Sequence, residues 1–362
     1  MLVEPFFGGS HKAFCEGLAG HSQWDFSLLT QPAQVWKWRM RTAHLHLARR
    51  LKKSNPGEPA LVLASDFLDL AGFLGLARKE LGQAKAILYF HENQLMYPVR
   101  NPRDRDLHFA VTNIMSYLAA DHVVFNSEFH RQGFFATVEQ TAKTLPKPPN
   151  LHLDLPFQKK SSVLYPGIEP PPGNLGEVAP AGERTIVFNS RWEHDKNPEE
   201  FFQALYELDA AGVAFRLKVL GQSFEKSPKV FAEAKERLAS HIDHFGYCED
   251  RTEYWQHLCS SDIVVSTAIH EFFGIAVMEA ICCGAFPVLP RRLSYPELLP
   301  ASWHQECLYD NPTGLKKNLN TLLEADRLPL SRAAIKEQGK KFQWTEIIGE
   351  YDALFERVAE SS

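Results

Sequence analysis

Short apolar, β-branched runs alternate with helical segments from one end of this chain to the other, and no other feature of the sequence limits the fold as much. Runs at Leu2–Glu4, Phe26–Leu29, Ala60–Ala64, Ala86–Phe90, Val123–Asn126 and Ser162–Tyr165 read as strands of a first half. Runs at Thr185–Asn189, Phe215–Leu220, Ile242–Phe245, Ile263–Ser266 and Ala285–Leu289 read as strands of a second. Helical stretches such as Pro198–Ala211 and Phe273–Cys283 lie between most of them. Strands joined by helices predict parallel sheets covered on both faces, the α/β class. A chain of 362 residues is too long for one ordinary core. Proline and glycine crowd the stretch from Pro166 to Gly182, which resists helix and strand alike and reads as a linker. The expected organisation is two doubly wound, Rossmann-like domains at residues 1–168 and 183–343. A last helix within residues 344–362 follows, its return to the first domain left open. Ligands of such sheets bind beyond the carboxyl ends of the strands, and the cleft between the domains is the expected site.

The net charge of −5 does not point to a polyanion partner for the whole chain. Its distribution is more informative. From Phe26 to Gly57 there is no acidic residue, while Lys37, Arg39, Arg41, Arg49, Arg50, Lys52 and Lys53 cluster with His44 and His46. A solvated helix face and a phosphate-backbone footprint both fit that pattern. The opening MLVEPFFGGSHK lacks the basic start and apolar run of a signal peptide. No stretch reaches the roughly 20 apolar residues of a membrane span. Cys15, Cys248, Cys259, Cys282, Cys283 and Cys307 form no CxxC pair, so free thiols and a cytoplasmic setting are expected.

Four motifs carry the chemistry. Glu4 to His11 (EPFFGGSH) follows the first strand, where Gly8 and Gly9 allow positive φ and close approach to a ligand. Ser10, His11 and the helix amides after the turn are candidate ligand contacts there, although a tight strand-to-helix turn would use the same residues. His91-Glu92-Asn93-Gln94 ends the fourth strand, where buried polar side chains are costly without a purpose. His91 is the candidate cleft residue touching sugar or acceptor, with Asn93 beside it on the acceptor side. Arg191 and Lys196 follow the first strand of the second half, ahead of a helix started by Pro198. Two cations there suit a diphosphate whose charge grows as the bond to it breaks. Glu271 and Glu279 follow strand Ile263–Ser266, with Gly274 opening a helix between them. A helix start freed by glycine favours a phosphate, and a carboxylate on an apolar helix suits a hydroxyl pair. Asp104-Arg105-Asp106 lies in a charged loop without an apolar strand before it, which argues against metal binding. No His/Cys ligand cluster is evident, so no metal is expected. The absence of GxxxxGK[ST], GxSxG and a complete GxGxxG lowers kinase, hydrolase and dehydrogenase readings.

Glu271 through Glu279 resembles the E-x7-E motif of GT4-like retaining glycosyltransferases of GT-B fold, and Arg191 with Lys196 resembles their Arg/Lys pair. That likeness implies Glu279 on the ribose hydroxyls, Glu271 on the donor sugar, and Arg191 and Lys196 on the diphosphate. It also implies Phe273, Gly274 and Ile275 beside the phosphates, Gly9 facing the donor, and the base near Gly246, Tyr247 and Cys248. EPFFGGSHK, Trp36–Arg41, YFHENQLMYPV, VVFNSEFHR and SYPELLP further resemble the tRNA-queuosine mannosyltransferases over most of the chain. This implies GDP-mannose as donor, the cyclopentene diol of queuosine in a tRNA anticodon as acceptor, and Arg39 and Arg41 on the RNA. The proline-rich segment Pro146–Pro156 departs from that pattern.

Two other readings compete. A GT4-like transferase acting on a lipid or oligosaccharide would use Val35–Lys53 as a membrane-facing helix, with Trp36, Trp38, Met40, Leu45 and Leu47 as its apolar side. A non-catalytic sugar-nucleotide or tRNA-binding protein would carry a damaged phosphate site, yet Arg191, Lys196, Glu271 and Glu279 are all present.

Overall fold

In the computed structural model, residues 1–54, 57–97, 106–144, 159–173, 182–223 and 227–361 are described. The chain divides into two units, Met1–Gly167 with Trp344–Ser362, and Ile168–Gln343.

Strands β1 (Leu2–Phe7), β2 (Leu28–Pro32), β3 (Leu61–Ser65), β4 (Lys85–Phe90), β5 (His122–Phe125) and β6 (Ser161–Val163) form the first sheet in the order β2-β1-β3-β4-β5-β6. Every neighbouring pair is parallel. Because successive strand residues point to opposite faces, each strand feeds two cores. Val3, Val62, Ala64, Leu88, Phe90 and Phe125 share one core with Ala43, Leu47 and Leu51 of helix α2 (Trp36–Ser54), and Phe90 and Phe125 pack there on Phe134. Leu2, Leu63, Ile87, Tyr89 and Val124 face helix α1 (Gly9–His21) and the chain's final helix. Helices α3 (Leu70–Leu76), α4 (Arg78–Leu81), α5 (Leu107–Ala119) and α6 (Glu128–Thr144) complete the connections.

The second sheet contains β7 (Thr185–Asn189), β8 (Arg216–Leu220), β9 (Ile242–Gly246), β10 (Ile263–Val265), β11 (Phe286–Pro290) and β12 (Leu308–Tyr309). Their order is β12-β11-β10-β7-β8-β9, again parallel throughout. Helices α7 (Pro198–Ala210), α8 (Val230–Arg237), α9 (Arg251–Cys259), α10 (Ile275–Cys282), α11 (Tyr295–Leu298), α12 (His304–Cys307), α13 (Pro312–Glu324) and α14 (Arg332–Lys340) belong to this unit. Helix α15 (Trp344–Ala359) is part of the first unit. Both sheets are doubly wound, the Rossmann-like halves of a GT-B fold. Strand order reverses between β1 and β3 in one sheet and between β7 and β10 in the other, and crevices form at such reversals.

Three expectations need correction. Strand β2 lies later than Phe26–Leu29, because Phe26 leaves the sheet to pack on Phe355, ring centroids 6.0 Å apart. Strand β12 had not been expected. The apolar residues of Val35–Lys53 do not share a side: Met40 and Leu47 are in the core, whereas Trp38 and Leu45 are 61% and 50% exposed. A 3.6-residue period puts positions 40 and 47 on one stripe and 38 and 45 on another. No described helix is long and apolar enough to cross a membrane.

Candidate active site

The reversal between β7 and β10 brings the third and fourth motifs together. After β7 the chain runs through Arg191 into a 3₁₀ turn at His194–Lys196, and Asn197 in the left-handed region turns it into α7. Lys196 is buried, and its Nζ lies 3.1 Å from carboxylate oxygens of both Asp195 and Glu271. It also donates to the carbonyl of His270 at 3.1 Å. Burial opposes the charge on Lys196, but Glu271 and Asp195 overcome it and hold its pKa above the ordinary lysine value. Burial likewise opposes charge on Glu271, and Lys196 reverses the sign and keeps the carboxyl below its usual range. Both groups are therefore ionised at neutral pH. Arg191 is exposed, with a guanidinium nitrogen 3.1 Å from Glu193.

Gly274 begins α10 with φ of +98°, a conformation that a Cβ would strain, and a Cβ there would also press on Tyr295. The glycine leaves the helix-start amides, Ile275 included, open to a ligand's charge. Within α10, Glu279 is buried on an apolar helix, as a carboxylate can be only with partners. Those partners come from α9: one oxygen receives Arg251 and the other the Tyr254 hydroxyl. Asn189, the last residue of β7, donates to Tyr254 at 2.8 Å and to the Ala276 carbonyl at 2.9 Å. Sequence reading missed Arg251, Tyr254 and Tyr295, because their roles rest on contacts made only in the folded unit. Tyr295 lies in SYPELLP, and its hydroxyl sits 2.7 Å from the Ser266 hydroxyl at the end of β10. The Phe273 ring is buried, and its carbonyl accepts from Ser294 at 3.0 Å. Tyr247 is exposed beside Gly246.

The first unit carries a second polar cluster, at the reversal between β1 and β3. Glu4 is fully buried, accepting from the Phe6 amide at 2.7 Å and lying 3.1 Å from Nδ1 of His11. Burial opposes a charge on His11, but Glu4 outweighs it and raises the pKa to about 9. The His11 ring stacks on Phe67, centroids 5.0 Å apart, and meets His91 at 4.2 Å. His91 is held by its backbone, its amide donating to Asp66 at 2.8 Å and its carbonyl accepting from Asn126 at 2.8 Å. Burial and the neighbouring His11 push the His91 pKa well below 6.5, so its ring is neutral. Its Nε2 has no hydrogen-bond partner among the described residues, nor does Nδ2 of the buried Asn93.

Several expected contacts sit elsewhere than anticipated. His11, a candidate ligand contact, has its Nδ1 against Glu4 at 3.1 Å, a pairing that answers the burial of both side chains. Of the two glycines, Gly9 has positive φ (+52°), whereas Gly8 is extended at −174° and needs its missing Cβ for the approach of Ala33. Ser10 is exposed in the first turn of α1. Arg41 pairs with Asp106 and lies 4.6 Å from the centre of the Phe109 ring, while Arg39 is half-buried on the same helix. Asp106 itself caps α5 by accepting from the His108 amide at 3.0 Å. Asp104, the Pro146–Pro156 segment and the linker positions 174–181 lie outside the described residues. The expectation of no His/Cys ligand cluster is wrong. His244, Cys248, Glu253 and His257 converge in the second unit, and Glu4, His11 and His91 in the first, each set with ligand atoms within 4.8 Å of one another. The former set lies in the short stretch from His244 to His257 at a spacing that matches no familiar ligand motif, and His91 of the latter is far along the chain from Glu4 and His11.

Comparison with known proteins agrees with this architecture. Residues 1–168 match the family described as tRNA-queuosine alpha-mannosyltransferase N-terminal, and residues 176–342 match glycosyl transferases group 1. A tRNA-queuosine alpha-mannosyltransferase of Drosophila melanogaster is 36% identical over 91% of this chain and 88% of its own length. A GDP-mannose-dependent alpha-(1-6)-phosphatidylinositol dimannoside mannosyltransferase of Mycobacterium tuberculosis is 25% identical over 44% of this chain and 40% of its own. In fold, the chain is similar to Anabaena HepE in complex with UDP, with TM-score 0.69 and 15% identity, covering 98% of this chain and 99% of that one. With its two doubly wound units and the residues of E-x7-E gathered at a sheet reversal, the chain is a glycosyltransferase and belongs to the tRNA-queuosine alpha-mannosyltransferase family.

Proposed function

We propose that this protein transfers mannose from GDP-mannose, with retention, to the cyclopentene diol of queuosine in a tRNA anticodon, in the cytoplasm. The observation that carries the reading is the constellation at the ends of β7 and β10. There an ionised Lys196–Glu271 pair stands ahead of the open start of α10, and Glu279 is buried within the same helix. The roles follow from the chemistry. Arg191, Lys196 and the α10 amides stabilise the diphosphate as it leaves, so no Mg²⁺ or Mn²⁺ is needed at that point. Glu279 exchanges its bonds to Arg251 and Tyr254 for the ribose hydroxyl pair. Glu271 positions the sugar, and neutral His91 offers its open Nε2 to the sugar or the acceptor. The names of the Drosophila and mycobacterial relatives support mannose, GDP and tRNA. On the first unit, Ser10, Asn93, Arg39 and Arg41 are the proposed acceptor contacts, cations beside aromatics being suited to an RNA loop.

The test is to incubate the protein with queuosine-containing tRNA and a panel of nucleotide sugars, then weigh the nucleosides. A hexose added to queuosine from GDP-mannose, without added Mg²⁺ or Mn²⁺, is expected. Transfer to lipid or oligosaccharide but not to tRNA would overturn the reading.

A further inference from the structure

A group of candidate metal ligands stands at the end of β9, and apart from Cys248 in the loop expected to meet the base, its side chains have no role in sugar transfer as described. His244 lies on β9, Cys248 on the loop that leaves it, and Glu253 and His257 one turn apart on α9. The Cys248 sulfur is 3.5 Å from Nε2 of His244, and Nε2 of His257 is 3.6 Å from a Glu253 oxygen. The two imidazoles lie with centroids 4.2 Å apart and their planes tilted by 44°. Nε2 of His257 is buried without a hydrogen-bond partner among the described residues. A tetrahedral zinc ion, with bonds of about 2.0–2.3 Å, holds its ligands about 3.3–3.8 Å apart. The four ligand atoms already lie within 4.8 Å of one another, so closing on a metal needs shifts on the order of 1 Å.

We infer that His244, Cys248, Glu253 and His257 form a structural zinc site that braces the loop at Gly246–Cys248 against α9. A thiolate, two imidazoles and a carboxylate suit zinc, and would exclude Mg²⁺ and Ca²⁺, which prefer all-oxygen sites. Four protein ligands leave no open position, so the role is architectural. On binding, the Cys248 proton passes to solvent and a thiolate–zinc bond forms. One thiolate and one carboxylate then balance the charge of Zn²⁺. That neutrality fits the setting, because the ammonium of Lys218 already bonds the His257 carbonyl at 3.3 Å.

The consequence for function rests on the reading of Glu279 as the ribose-binding carboxylate. Helix α9 supplies Arg251 and Tyr254 to Glu279 from one side and Glu253 and His257 to the metal from another. A clamp on α9 and β9 therefore fixes both the second carboxylate of E-x7-E and the loop expected to meet the base.

Tag-free, full-length protein purified without chelator should contain about one zinc per chain by elemental mass spectrometry. Cobalt substitution should give a thiolate-to-metal charge-transfer band that Cys248→Ser abolishes. Cys248→Ser and His257→Gln should weaken zinc by more than the roughly 100-fold that loss of an outer-shell partner can cost. Removing zinc should weaken GDP about tenfold by calorimetry, with recovery on adding Zn²⁺ and none with Mg²⁺. Wild-type protein that holds no zinc in micromolar free Zn²⁺ would overturn the site without recourse to any variant. So would variants that hold zinc as tightly as wild type. Zinc bound normally with GDP affinity indifferent to it would overturn the brace. GDP failing to bind zinc-loaded protein would instead overturn the donor-site reading and leave the metal site standing.

Discussion

Arg191 and Lys196 are the same charge in the same loop, but they are not the same experiment. Arg191 is exposed, and its removal takes the cation from one carboxylate, Glu193, which is itself partly exposed. Arg191→Ala should slow kcat by about 30- to 1,000-fold, a loss of about 2–4 kcal/mol in the transition state. Its stability should stay within about 0.5 kcal/mol of wild type by urea melts. Lys196 is buried between Asp195 and Glu271, so Lys196→Ala strands two carboxylates and should cost about 3–5 kcal/mol of stability besides activity. Activity within threefold of wild type for both variants would remove them from the diphosphate site. His11 supports a prediction in pH. Its pKa rises from 6.5 unfolded to about 9 folded, because Glu4 outweighs the effect of burial. A raised histidine stabilises fully below the unfolded value and ceases to do so above the folded one. The contribution, about 3 kcal/mol, should therefore be present at pH 6 and fade between about pH 6.5 and 9. Subtracting the urea-melt profile of His11→Gln from that of wild type isolates it, and a flat difference would show that the pair carries no net charge-dependent stability.

Helix α10 depends on how its first turn is entered. Gly274→Ala forces a Cβ into positive φ and against Tyr295, which should cost on the order of 1–3 kcal/mol in thermal melts and weaken GDP. Helix α2 presents Arg39, Arg41, Arg49 and Arg50 on a stretch without acidic residues. Neutralising Arg39 and Arg41 should raise the KM for tRNA and flatten its salt dependence by roughly 0.7–0.9 of slope per lost phosphate contact. Loss of GDP affinity with an unchanged tRNA salt slope would place the RNA footprint elsewhere. What could be read in advance follows the range of the forces involved. Strands such as Thr185–Asn189 and the helix Trp344–Ala359 were legible, because a buried strand or an amphipathic helix writes its environment into adjacent residues. Strand β12 was not, since two residues, Leu308 and Tyr309, are too few to show a period. The E-x7-E carboxylates stood out because both lie on one strand-loop-helix unit. Arg251 and Tyr254 did not, because nothing in their own neighbourhood announces a carboxylate on α10. The His/Cys group is local, running from His244 to His257, but its spacing across strand, loop and helix matches no familiar ligand motif.

At the scale of the molecule, the first unit is completed by the last helix. Trp344, Ile347, Tyr351, Leu354, Phe355 and Val358 are buried with Phe14, Leu18 and Tyr89, and Asp352 accepts from the Ser22 hydroxyl at 2.5 Å. Trp344→Ala should cost about 3–5 kcal/mol by leaving a cavity under α1. Gly17→Ala should also lower the melting temperature. It gains about 1 kcal/mol of helix propensity, but a Cβ there collides with the rigid, buried Trp344 ring. A melting temperature raised by Gly17→Ala would mean that α15 yields more readily than this packing implies. The same arrangement sets an order of events on the ribosome. The stretch Met1–Gly167 lacks one wall of its core until α15 leaves the exit tunnel, whereas Ile168–Gln343 emerges whole before that helix. The part that is started first is thus finished last, and any product of interrupted translation ending before Trp344 displays Phe14, Leu18 and Tyr89 as an uncovered surface for chaperones and proteases to find.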